Sequence, residues 1–173
     1  MADSVEFESL VERFYVPLYQ FAFSLTHTEA DACDLTQETF TIWATKGHQL
    51  RDTSKVKTWL FTTLHREFLE SRRRQTRFPH FELEAATAEL PTVGPAAVSL
   101  LDSAKVLDSL AQVDAIFQAP VALFYLQDYS YNEIAEILAV PLGTVKSRLA
   151  RGIGQLQQIL ARDIAAGQPP PSL

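Results

Sequence analysis

The chain has 173 residues, 47% apolar and 21% charged, which excludes a disordered or low-complexity polypeptide and suffices for one ordinary domain or two small helical ones. No apolar run approaches the roughly 20 residues that span a bilayer, the acidic start MADSVEFESL has no secretory pattern, and Cys33 stands alone. Membrane insertion, export and an internal disulfide are therefore not expected, and a cytoplasmic location is.

The net charge of −6 would argue against a nucleic-acid partner if it were evenly spread, but it is not. Residues 1–45 carry eight acids and one base, Arg13, whereas residues 46–77 carry nine bases and three acids. Residues 78–143 hold nine acids against Lys105, and residues 144–173 return to four bases and one acid. Such blocks are compatible with solvated faces as well as with DNA, so the motifs must decide.

Apolar residues recur at three- and four-residue spacing nearly throughout, which predicts helices and no strands. A first helix is expected over about 7–25, with Leu10, Phe14, Leu18, Phe21 and Leu25 as its stripe and Pro17 bending or dividing it. Thr28 and Asp31 resemble a capping box opening a second helix, about 29–46, whose stripe is Leu35, Phe40 and Trp43. A third, about 54–76, turns Val56, Trp59, Leu60, Leu64 and Phe68 inward and ends in Arg72, Arg73, Arg74 and Arg77.

Residues 78–101 hold three prolines, a glycine and no lysine or arginine, a linker composition with room for a short helix near 83–89. Beyond it, Val106, Leu110, Val113 and Phe117 predict one helix. Pro120 suits the first turn of the next, about 120–127, and two more are expected at about 131–139 and 144–162. The expected architecture is all-α: two small helical bundles, 1–77 and 102–163, joined by a flexible linker at 78–101 and followed by a disordered tail at 164–173.

The segment YSYNEIAEILAVPLGTVKSRLARG, 129–152, predicts a helix-turn-helix. Ser130 and Glu133 form a capping box, Ile134, Ile137 and Leu138 face inward, and Ala135 is small where a crossing helix would need close approach. Val140-Pro141-Leu142-Gly143 breaks the helix, and Thr144 is expected to cap the next one. There Val145, Leu149, Ile153 and Leu156 make the buried stripe, leaving Thr144, Ser147, Arg148 and Arg151 on the opposite face. Short polar groups near a helix start with arginines behind them suit the major groove, although an ordinary helical hairpin with solvated arginines has the same pattern.

The phrase EIAEILAVPLGTVKSRLARG resembles the C-terminal promoter-reading domain of extracytoplasmic-function sigma factors, members of the sigma-70 family. Independently, DACDLTQETFTIWA (31–44) resembles that family's D-L-x-Q-E-x-F segment, and KTWLFTTLHREFLESRRR (57–74) resembles its W-L motif with a following basic helix. The likeness spans about residues 7–160, in the family's order. It implies that Asp31, Asp34, Leu35, Gln37, Glu38 and Phe40 grip the β′ subunit of core RNA polymerase. It further implies that Lys55, Lys57, Arg66, Arg72, Arg73 and Arg74 hold the minus-ten element, with a pocket nearby for a splayed base. Thr144, Lys146, Ser147, Arg148 and Arg151 would read the minus-thirty-five element. Promoter DNA, core polymerase and an anti-sigma factor are the implied partners.

Two departures from the family stand out. Arg66 occupies a place where members often have asparagine, which puts base preference at minus ten in question. Gly152 and Gly154 follow the recognition segment where further bases are usual; each lowers helix stability by roughly 1 kcal/mol relative to alanine, and fewer bases mean a weaker minus-thirty-five grip. Trp59 reads better as core packing than as a base-stacking platform.

No phosphate loop, nucleophile elbow or H-E-x-x-H motif is present, and His27, His48, His65 and His80 have no metal-ligand spacing with Cys33. No catalytic site, cofactor or metal is expected. The reading is an alternative sigma factor that directs transcription initiation. A helix-turn-helix regulator outside polymerase, or a degenerate sigma-like module, remains the alternative.

Overall fold

A computed structural model of the chain describes residues 2–75 and 103–167. The expected linker at 78–101, its short helix and tail residues 168–173 lie outside the described residues. These divide into two compact units, and no strand occurs among them. No helix among them is long and apolar enough to cross a membrane.

The first unit contains α1 (Ala2–Thr26), α2 (Glu29–Lys46) and α3 (Val56–Gln75). Its core joins Phe14, Leu18, Phe21 and Leu25 of α1 to Leu35 and Phe40 of α2 and to Leu60, Phe61 and Leu64 of α3. Phe21 and Phe61 meet with ring centroids 5.4 Å apart. Of the bend or division expected at Pro17, the division does not occur: α1 runs through it unbroken. An interior proline costs about 3 kcal/mol, but Phe14, Leu18 and Phe21 are buried on both sides of it, and each such side chain returns about 1.5–3 kcal/mol.

Thr28 caps α2 as expected, its Oγ1 accepting from the Asp31 N–H at 3.3 Å. The box is one-sided, however. The Asp31 carboxylate takes the Thr28 hydroxyl proton at 2.7 Å instead of reaching back to the Thr28 backbone, because aspartate is one methylene shorter than the usual glutamate. Between α2 and α3, Asp52 accepts from the Ser54 hydroxyl at 2.6 Å and the Ser54 N–H at 3.0 Å. These bonds hold its carboxyl below the usual range, with Lys55 adding a smaller pull.

The second unit contains α4 (Ser103–Leu110), α5 (Ala115–Tyr125), α6 (Tyr131–Leu138) and α7 (Leu142–Ala165). The single helix expected from Val106 to Phe117 is in fact two, broken at 111–114. Backbone bonds from Gln112 to Ser109 and from Val113 to Leu110, both 3.1 Å, make the turn. The buried Gln118 amide donates to the Val113 carbonyl at 2.8 Å. Pro120 consequently sits inside α5 rather than in its first turn.

Ser130 and Glu133 form the full capping box: Ser130 N–H to Glu133 Oε2 at 2.8 Å, and Glu133 N–H to Ser130 Oγ at 3.3 Å. Ala139 ends α6 in the left-handed region, φ 54°. α7 begins at Leu142, earlier than expected, because Pro141 rather than Thr144 occupies the capping position. The Pro141 carbonyl accepts from Thr144 at 3.0 Å and Val145 at 3.2 Å, so Thr144 lies within the first turn. At its far end α7 runs to Ala165, into the expected tail.

Candidate functional site

On α2 the side chains Asp31, Asp34, Gln37 and Glu38 are exposed. Leu35 and Phe40, expected among the partner contacts, are in the core. Phe40 lies parallel to Tyr15 at 6.3 Å and edge-on to Phe7 at 6.5 Å, and with Leu35 it fixes the helix from its inner side. Asp31 is already engaged by Thr28, which leaves Asp34, Gln37 and Glu38 as the outward set. On the neighbouring α1, partial burial raises the pKa of Tyr15, and its hydrogen bond with Cys33 adds to this.

The basic residues of α3, and Lys55 in the short 3-10 turn just before it, differ in setting. Lys55, Arg66, Arg72, Arg73 and Arg74 are exposed and Lys57 is half-buried. The Arg72 guanidinium lies 5.6 Å from the Phe68 ring centroid, and Arg73 pairs with Glu70 at 3.3 Å. Lys57 lines a cleft of about 510 Å³ between the first half of α1 and the start of α3. Arg13, Phe14, Thr53 and Ser54 share its wall, with Glu6 at the same mouth. Arg13 was visible in the sequence as the lone base among the first 45 residues, but nothing in its local pattern tied it to Lys57. Trp59 meets Trp43 edge-on at 5.0 Å, in keeping with a packing role, and Gly47 lies so close that a Cβ there would fall 2.6 Å from the Trp43 ring.

In the second unit the face expected to meet DNA is more deeply set than its pattern suggested. Lys146 is exposed, but Thr144, Ser147, Arg148 and Arg151 are all half-buried. The Ser147 hydroxyl donates to the Thr144 carbonyl at 3.1 Å. Arg148 Nε is buried with no hydrogen-bond partner, and desolvation lowers the guanidinium pKa. It remains a cation, since arginine does not deprotonate in proteins.

Gly152 is no simple weak point in α7. A Cβ there would fall 2.5 Å from Val121 Cγ2 and 2.9 Å from Phe117 Cβ, so only glycine permits this approach of α5 to α7. Gly154 has open space around it. Ala135 of α6 is half-buried, and the Gly152 contact is a separate one between α5 and α7.

This arrangement, a three-helix unit with an acidic outer face followed by a helix-turn-helix unit, defines a two-region transcription initiation factor of the sigma-70 type. The Sigma-70 region 2 model matches residues 10–78, and the Sigma-70 region 4 model matches residues 104–156. Together they cover most of the chain, which belongs to the sigma-70 family as an alternative sigma factor that directs promoter recognition. It is 33% identical over 159 residues to the ECF RNA polymerase sigma factor SigE of Mycolicibacterium smegmatis, covering 90% of this chain and 62% of that protein. It is 27% identical over 164 residues to the RNA polymerase sigma factor YlaC of Bacillus subtilis, covering 92% and 94%. Among solved structures it is similar to the sigma factor RpoE from Bartonella quintana, determined with the anti-sigma factor NepR, at a TM-score of 0.70 and 27% identity over 91% of this chain and 98% of that one.

Proposed function

We propose that the exposed Asp34, Gln37 and Glu38 dock on core RNA polymerase, where an acidic and amide-bearing helix face suits a basic groove and mainly steers encounter. The Arg13–Lys57 cleft then takes a base splayed from the minus-ten strand. Lys55, Arg66 and the Arg72–Arg74 run hold the phosphates on either side. Thr144, Lys146, Ser147, Arg148 and Arg151 enter the major groove of the minus-thirty-five element. The chain supplies specificity, and bond-making belongs to the polymerase. Its place is the cytoplasm, and a partner analogous to the anti-sigma factor bound to the RpoE relative holds it in reserve.

The observation that carries the DNA-binding part is Arg148. A guanidinium already half-dehydrated, with Nε lacking a partner, has met part of its desolvation cost before binding and has few orientations left. The overall charge of −6 keeps the free chain from holding DNA tightly, so competence comes on polymerase. Transcription by core polymerase with and without the chain tests the scheme, with Asp34→Ala/Glu38→Ala alongside. Discrete initiation with wild type, and loss of roughly tenfold or more with the double variant at limiting concentration, is expected from removing two steering charges. Equal core binding by both proteins would overturn the α2 assignment.

A further inference from the structure

The Gln155 side chain reaches across 41 residues of sequence to Asp114, the residue that precedes α5. Its Nε2 donates to Asp114 Oδ2 at 2.8 Å, while its Oε1 accepts from the Asp114 backbone N–H at 2.9 Å. Both ends of the amide are used, on the same two partner groups of one residue. On α7, Arg148, Gly152 and Gln155 are spaced by four and three residues, so they share one face of the helix. That face meets α5 at two successive points. Gly152 touches Phe117 and Val121, and Gln155 is tied to the turn from which α5 starts.

We propose that Asp114 and Gln155 form a clasp that sets the tilt of the recognition helix, making them positioning residues for minus-thirty-five recognition. The proposal rests on the DNA-binding reading of α7 above. Because Asp114 is exposed and Gln155 half-exposed, their bonds compete with water and contribute little to folding. What they supply is direction. Val145, Leu149, Leu156 and Ile159 anchor α7 in the core, Gly152 is its close contact with α5, and a bond one turn beyond that contact limits the small tilts that side-chain packing still allows. Thr144 lies eight residues from Gly152, about 12 Å along the axis. A tilt of roughly 10° about Gly152 therefore displaces the start of the recognition helix by about 2 Å, more than a base-edge hydrogen bond tolerates.

The pair can be inverted without changing its shape. Gln155→Glu alone sets two carboxylates against each other. Asp114→Asn alone keeps an oxygen for the Gln155 amide. The double variant restores both bonds with the side-chain bond reversed, the new carboxylate accepting from the new amide and, as the Gln155 oxygen did, from the backbone N–H at 114. The full-length chain on core polymerase transcribes from a promoter that the wild-type holoenzyme selects from a randomised library. A second template differs by one minus-thirty-five base pair. The ratio of initiation on the two templates is the readout, since loss of folded protein lowers both equally and leaves the ratio unchanged.

Gln155→Glu should lower that ratio roughly fivefold to tenfold, the scale of one good base contact. Asp114→Asn should leave it within about twofold, and the double variant should bring it back to the wild-type value, as expected for an interaction energy confined to the pair. An unchanged ratio for Gln155→Glu, or no recovery in the double variant, overturns the clasp alone. A wild-type ratio of one overturns the DNA-binding reading and the clasp with it.

Discussion

In the first unit the residues proposed to dock on polymerase stand outside a finished core. Asp34, Gln37 and Glu38 are exposed on a helix fixed from behind by Leu35 and Phe40. In the second unit the corresponding residues belong to the packing itself. Thr144, Ser147, Arg148 and Arg151 are half-buried, and the helix that bears them is packed through its buried stripe and the Gly152 contact, with Gln155 hydrogen-bonded to Asp114. A surface of the first kind works by charge and tolerates small shifts of its backbone. A surface of the second kind works by placement, so whatever moves α7 changes both stability and recognition.

The largest test of that difference is Gly152→Ala. One methyl group placed 2.5 Å from Val121 Cγ2 and 2.9 Å from Phe117 Cβ must push α5 and α7 apart. Overpacking of this kind costs about 1–3 kcal/mol, which outweighs the gain of up to about 1 kcal/mol in helix propensity. Gly154→Ala is its internal control, since that position has open space and keeps only the propensity gain. Hydrogen exchange at α7 amides in the full-length chain should show faster opening for the first variant and slower opening for the second. Equal protection in both would mean that the helices have room to separate, and the contrast between the units would lose its basis.

Arg148→Ala should come next in size. On the proposed DNA-binding role of α7 it removes a base-contacting guanidinium, and minus-thirty-five-dependent transcription should fall roughly tenfold, the lower part of the range for a bidentate base contact. The folded state should not suffer in proportion, because the substitution also removes a buried Nε that has no partner. Asp34→Ala is the comparison in the first unit: it should slow polymerase association and reduce its salt dependence, and leave the discrimination between promoters unchanged. A loss of stability for Arg148→Ala as large as its loss of transcription would instead make the arginine a structural residue.

What could be read in advance follows from how far the deciding contacts lie along the chain. The capping box at Ser130, the buried stripe Val145–Leu149–Ile153–Leu156 and the bounds of α2 depend on neighbours within a turn or two, and the spacing showed them. The break at 111–114 has no glycine or proline to mark it. One of its supports, Gln155, is 41 residues away, so the periodicity ran straight through the turn. Gly152 was visible only as a poor helix former, because helix propensity carries no information about Val121. Leu35 and Phe40 were assigned to a partner along with their polar neighbours because a motif read as a string does not separate the faces of its helix. Arg13 and Lys57 share a cleft that only the meeting of α1 and α3 creates.

The smallest expected effects compare the starts of two helices, one in each unit. Ser130 and Glu133 satisfy each other's backbone N–H, whereas Thr28 satisfies one N–H and spends its own proton on the Asp31 carboxylate. Ser130→Ala should therefore destabilise the second unit by about 1 kcal/mol, since it removes the accepting oxygen of a reciprocal box. Thr28→Ala should cost about 0.5 kcal/mol in the first unit, because no side chain reaches back to the Thr28 backbone and its aspartate partner remains near the positive end of α2. Exchange rates of the first-turn amides of α6 and α2 give both values in one protein. If the two losses are equal, the hydroxyl-to-carboxylate bond at Thr28 is worth as much as the missing backbone link. The acidic start of α2 would then be as tightly set as the helix-turn-helix, and its neighbours Asp34 and Glu38 would have to be counted as placed groups rather than as charges alone.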